Sequence, residues 1–288
     1  MRRPLLLAAL VGTLFATPAF ADVTVRYRIV IPDGAPANVR EHPPALTVAA
    51  DGAGNAHWEM AAPGTPAPGA RAPSIALITR EGVTYFALNG PQAGMQIVGR
   101  VDDALALGTE LARPILQGPA RAVVQQVMNQ RVEIIPVGPE TVSGIQGNLY
   151  RIVLVSGETR APPVEMVVAT DSRLVPIGQE FIRLVDSLRP TVVAAAGGEP
   201  QLLAALRAMA GLGAPLRVGN ELRVDSISTD DLPDSRFALP GPAMSREQLQ
   251  MMMGAMMGAM GQGHGSGRPA PGHPAPSEAP PGNAANPH

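Results

Sequence analysis

Polar and apolar residues alternate clearly once the chain passes Asp22. Val23, Val25, Tyr27, Ile29 and Ile31 fall on one side, while Thr24, Arg26 and Arg28 fall on the other. A period of two over this length predicts a half-buried strand. Pro32-Asp33-Gly34 ends it with turn chemistry. Residues 45–60 predict a hairpin, with Asp51-Gly52-Ala53-Gly54-Asn55 as its turn, and residues 61–73 a Pro- and Gly-rich loop. A second hairpin pairs Ser74–Thr79 with Val83–Leu88 across Arg80-Glu81-Gly82, and a strand follows at Met95–Val98.

The period then lengthens to that of a helix. Residues 102–111 and 119–130 carry apolar side chains at helical spacing, and Pro114 and Gly118 are expected to break the run. Strands resume at Val132–Val137. A third hairpin joins Leu149–Val155 to Val164–Thr170, with Ser156-Gly157-Glu158 in its connection. Residues 179–189 and 199–212 read as helices punctuated by Pro190 and Gly197-Gly198. Two last strands, 214–218 and 221–228, meet at Gly219-Asn220, and the domain closes at Phe237-Ala238-Leu239-Pro240. Several strands are apolar on both sides: Ile75 and Leu77 oppose Ala76 and Ile78. Both faces of the sheet are therefore expected to be covered, by helices or by curvature. Helices sit between runs of strands, which predicts an α+β fold, a curved antiparallel sheet forming an open half-barrel, with helices over its concave side.

The two ends differ from this domain. Met1-Arg2-Arg3, an apolar run from Leu5 to Phe15 and Ala19-Phe20-Ala21 have the form of a secretory signal peptide, residues 1–21, cleaved after Ala21. Export to the periplasm is the expected localisation. Loss of Arg2 and Arg3 would move the formal charge from -2 to -4, since residues 1–21 contain no acidic residue. The expected domain spans 22–240. A Met-rich amphipathic helix spans 241–260, with Ser245 as cap, Gln248 as its capping-box partner, and Leu249, Met253, Met256, Met257 and Met260 on one face. Residues 261–288 are Gly, Pro, Ala, Ser and His rich and are expected to be disordered.

Composition narrows the chemistry. Every one of the 22 basic residues is Arg, and no run of them forms a nucleic-acid footprint. There is no Cys, so neither a disulfide framework nor a thiol nucleophile is available. Without Lys there is no phosphate loop of the G-x-x-x-x-G-K-[ST] kind. His57 and Glu59 share a strand face but are two ligands where a closed zinc site wants about four. His42 precedes two prolines. Asp102-Asp103 read as a helix start, Asp230-Asp231 as a turn, and Glu158 and Glu165 as flanks of a hairpin. No catalytic residue and no cofactor is assigned.

Thr141-Val142-Ser143-Gly144-Ile145-Gln146-Gly147, with Tyr150 and Val153 after it, Val164 to Asp171, Gly213-Ala214-Pro215-Leu216, and Asp231-Leu232-Pro233 to Phe237-Ala238-Leu239-Pro240 carry a resemblance. Together they resemble the lipoprotein-carrier-like superfamily of periplasmic proteins (LolA, LolB and relatives), as an uncharacterised exported branch. The resemblance spans most of 22–240 and rests on scaffold signals. It implies an open curved sheet whose concave side forms an apolar cavity, where acyl chains sit in the best-known members. It transfers no catalytic residue.

Three functions follow as expectations. The first is a non-enzymatic exported protein that binds a lipid or other apolar ligand in the half-barrel. Its Met-rich helix would dock on an envelope protein, and it would be neither a nucleic-acid binder nor an integral membrane protein. The second is copper capture by the thioethers of Met253, Met256 and Met260 with the imidazoles of His264 and His273. The third is an envelope interaction module with no cavity. A pocket below ~300 Å3 would argue against the first.

Overall fold

The computed structural model describes residues 22–31, 34, 37–41, 43–62, 73–90, 96–116 and 120–262. The expected signal peptide, His42, Met95, most of the 61–73 loop and the tail from residue 263 lie outside them.

The chain opens with β1 (Val23–Ile29), a short helix α1 (Ala37–Glu41), and the antiparallel run β2 (Ala45–Ala50), β3 (Ala56–Ala61), β4 (Ser74–Arg80), β5 (Val83–Asn89) and β6 (Gln96–Arg100). Helices α2 (Val101–Leu116) and α3 (Ala120–Met128) follow. Then come β7 (Arg131–Val142), β8 (Ile145–Ser156), the two-residue β9 (Thr159–Arg160) and β10 (Val164–Ala169). Helices α4 (Val175–Ala196) and α5 (Gln201–Gly211) lead to β11 (Pro215–Val218) and β12 (Leu222–Ser228). All twelve strands form one antiparallel sheet, ordered β6-β5-β4-β3-β2-β1-β12-β11-β10-β8-β7, with β9 beside β8. The sheet is open, and the fold is α+β.

Connectivity explains the layers. The chain leaves one edge strand, β6, and must reach the other, β7, so α2 and α3 cross one face of the sheet. Helices α4 and α5 bridge β10 and β11, and α4 packs against β1, β2, α2, α3 and α5. Beneath them lies the main core. It gathers Val23, Val25, Tyr27, Val48 and Trp58 from the sheet with Leu174 and Ile177. The Trp58 ring meets that of Phe181 edge-on, with centroids 4.6 Å apart. The opposite face of β3–β6 is covered by something else. After β12, a 3-10 turn at Asp234–Phe237 and an extended segment to Met244 run across it. Phe237 is buried, Leu239 packs on Ala76, Ala87 and Val98, and the Met244 N–H donates to the Val98 carbonyl at 2.8 Å. This strap explains why β4 and β5 are apolar on both sides.

Three expected breaks are absent. Helix α2 runs through Pro114 to Leu116, and α4 starts at Val175 and runs through Pro190 to Ala196, where Gly197 caps it in the left-handed region. Proline forfeits one intrahelical bond, and packing of α4 on three other helices outweighs that loss. Strand β7 continues past Val137 to Val142, with a bulge between Pro136 and Gly138. Proline is tolerated there because β7 is an edge strand. The β7–β8 connection is the two-residue turn Ser143-Gly144, both at positive φ, the geometry that suits the twist of a hairpin.

The compact unit extends to Arg246, past the expected closure at Pro240. Helix α6 (Arg246–Gln262) falls, after its first residue, in the second unit. No helix among the described residues is long and apolar enough to cross a membrane.

A candidate apolar site on the helix-covered face

Pairing register places Tyr27, Leu46, Met60, Ile75, Leu88 and Ile97 in one row across β1 to β6. Their side chains share the face that carries Trp58, two residues along β3 from Met60. At the Tyr27 end this row is sealed into the core. Towards β6 it opens: Met60 is 41% exposed and Ile75 48% exposed. There lies a hollow of about 570 Å3, walled by Pro44, Met60, Pro73, Ile75, Leu88 and Ile97. No described lining residue is charged. Its polar rim residues are already engaged: Asn89 Nδ2 donates to Ser74 Oγ at 2.9 Å, and Gln96 Nε2 donates to Asn89 Oδ1 at 2.8 Å. A volume in this range, apolar walls and few polar anchors are what small apolar ligands use.

At the other end of β2 and β3, α4 meets the β2–β3 turn. Glu180 is 3% exposed. Its carboxylate accepts a hydrogen bond from Arg183, whose Nη1 also donates to the Gly54 carbonyl at 2.7 Å. Asp51 organises the turn by accepting from the backbone N–H groups of Ala53 and Asn55 at 2.9 and 2.8 Å. Burial pushes the Glu180 carboxyl up to about 7, with Arg183 pulling it down and Asp51 adding to the rise.

His57 projects from the other face of β3. Burial holds its imidazole below the ordinary value, Arg236 adds to the depression, and Glu59 opposes it. Its Nδ1 and the buried Tyr27 hydroxyl have no hydrogen-bond partner among the described residues. Burial pushes the Tyr27 phenol up.

The other sequence candidates are scattered. Glu59 pairs with Arg236 rather than joining a His57 ligand set. Asp102 and Asp103 occupy the first turn of α2. Glu165 is paired with Arg151 and Arg217, and Arg217 also holds Glu140. Among the described residues no group of three His, Asp or Glu side chains is placed to hold a metal ion. Met253, Met256 and Met260 lie on α6, whereas His264 and His273 lie outside the described residues. Neither the hollow nor Glu180 was legible as a site. The resemblance implies an apolar cavity without naming residues, and the two-sided apolar character of β4 and β5 does not say where one opens.

No protein-family profile matches this chain, and no curated protein matches it.

Proposed function

We propose that this is an exported, non-enzymatic protein that holds a lipid or other apolar molecule in the hollow at Met60 and Ile75. The observation that carries the reading is an apolar, uncharged recess of about 570 Å3 that leaves large side chains exposed on an otherwise covered face. Exposed apolar walls are costly unless something covers them. An acyl chain of about a dozen methylenes would gain ~10 kcal/mol by burial, before the costs of ordering it. An open antiparallel sheet with helices over one face also has the architecture that the lipoprotein-carrier resemblance implies.

The test is mass spectrometry of protein purified from the periplasm without detergent, both native and after organic extraction. A stoichiometric lipid supports the reading and names the ligand class. Ile75→Asp places a carboxylate in the hollow at an exposed position, so it should abolish loading and leave the fold intact. A clean apoprotein that also fails to take up a fluorescent fatty acid would exclude the reading.

A further inference from the structure

Glu180 is almost fully removed from solvent, and the charged groups that meet it are few. Arg183 reaches it from one turn along α4, and Asp51 faces it from the β2–β3 turn. Arg183 bridges the two elements by donating to Gly54. Glu81, in the β4–β5 turn, donates its N–H to Asn55 Oδ1 at 3.4 Å, so a third element leans on the same turn. The neighbour of Glu180 in sequence, Phe181, rests on Trp58. This small polar cluster is therefore what ties α4 to the far ends of β2 and β3, above the face that also bears the hollow.

We propose that Glu180, Arg183 and the β2–β3 turn form a proton-operated latch that fixes α4 over the sheet and so sets how far the apolar hollow extends. With Glu180 neutral, the buried carboxyl carries no desolvation cost and α4 sits down on Trp58. With Glu180 ionised, a buried charge is held by one half-exposed Arg, and solvation of that charge favours lifting α4 from the turn. Lifting would bare Trp58, two residues from Met60 on the same face, and extend the hollow. The Glu180 carboxyl loses its proton at about 7, so the latch closes in mild acid and loosens above neutrality. The part of this inference that concerns ligand retention rests on the hollow being the ligand site; the latch itself does not.

Trp58 is the only tryptophan of the chain, which makes its fluorescence a reporter of the latch. One other group with a displaced proton affinity, His57, stands next to it, with its side chain on the opposite face beside Arg236. His57→Gln serves as the control for it. Emission of the full-length protein would be followed from about pH 5.5 to 8.5. A transition near pH 7 is expected in the wild type and in His57→Gln, and its loss in Glu180→Gln. Arg183→Gln should move the midpoint upward, since Arg183 is what lowers it. Binding of the uncharged probe N-phenyl-1-naphthylamine is then measured over the same range, with a change in affinity at the same midpoint expected. A wild-type emission that is flat in this range, or a transition that survives Glu180→Gln, overturns the latch whatever the probe does. A Glu180-dependent transition in a protein that binds no probe at any pH upholds the latch and removes the ligand reading.

Discussion

Glu180 and His57 illustrate how single buried groups set the pH response of this fold. The sign differs between them. The Glu180 carboxyl is raised in the folded chain, so the folded state holds an extra proton between about 4.5 and about 7, and stability falls as pH rises through that window. The His57 imidazole is lowered, so the unfolded state holds the extra proton, and stability falls as pH drops below about 6.5. Below 6.5 the two effects partly cancel; between 6.5 and 7 only Glu180 remains. At about 1.4 kcal/mol per unit, the Glu180 effect is at most about 3–4 kcal/mol. Urea midpoints at pH 5, 6, 7 and 8 separate them. Glu180→Gln should lose the decline toward pH 7, and His57→Gln should steepen it from the acid side. Identical profiles for wild type and Glu180→Gln would exclude a buried, titrating carboxyl. A different single-residue constraint governs Gly147. A Cβ there would lie 2.6 Å from the Val168 carbonyl oxygen and 2.8 Å from Val167 Cγ1. The obstacle is partly backbone of the paired strand, which cannot swing aside. Gly147→Ala should cost about 1–3 kcal/mol, measurable as a lowered urea midpoint at unchanged m-value.

Among the elements, the strap after β12 does work that no helix does. It buries Phe237, sets Leu239 on Ala76, Ala87 and Val98, and supplies the Met244 N–H to the β6 edge. Leu239→Ala should destabilise the domain by about 1–2 kcal/mol, because Leu239 is only partly buried. Probe uptake should survive, because the hollow opens on the other face. Loss of uptake with preserved stability would show that the two faces are coupled. Strap and hollow also mark where sequence reading stops. Alternation located β1 to β5 and the β11–β12 pair closely, because a period of two is local information. It could not show that Met60, Ile75, Leu88 and Ile97 stand side by side, because pairing register joins residues from four separate strands. The prolines misled for a related reason. Pro114 and Pro190 are local stop signals, yet helices packed on other helices carry on past them. Nothing in the sequence sets Glu180 apart within the expected 179–189 helix, since only the arrival of the β2–β3 turn buries it.

At the scale of the whole sheet, twelve strands that do not close into a barrel leave two edges, and each is a template for pairing with another chain. The β6 edge is short and is met by the Met244 N–H. The β7 edge is the more exposed hazard. It is twelve residues long, and Ile135 and Val137 are exposed on it. Helix α5 packs against it, but among the described residues no further strand pairs with its outer edge. Its protection is built into the strand. Pro136 and Pro139 have no N–H to offer an incoming strand, and the bulge between Pro136 and Gly138 interrupts a straight ladder. Restoring donors should therefore convert a guarded edge into a sticky one. The double change Pro136→Thr with Pro139→Thr keeps the strand β-prone and adds two N–H groups. The folded monomer should lose little stability, since β7 pairs with β8 along its whole length. Self-association should rise several-fold, read by sedimentation velocity or light scattering across a concentration series. An unchanged sedimentation profile would mean that the prolines do not guard the edge, and that charge at Arg131, Glu133 and Glu140 suffices to keep β7 apart from its copies.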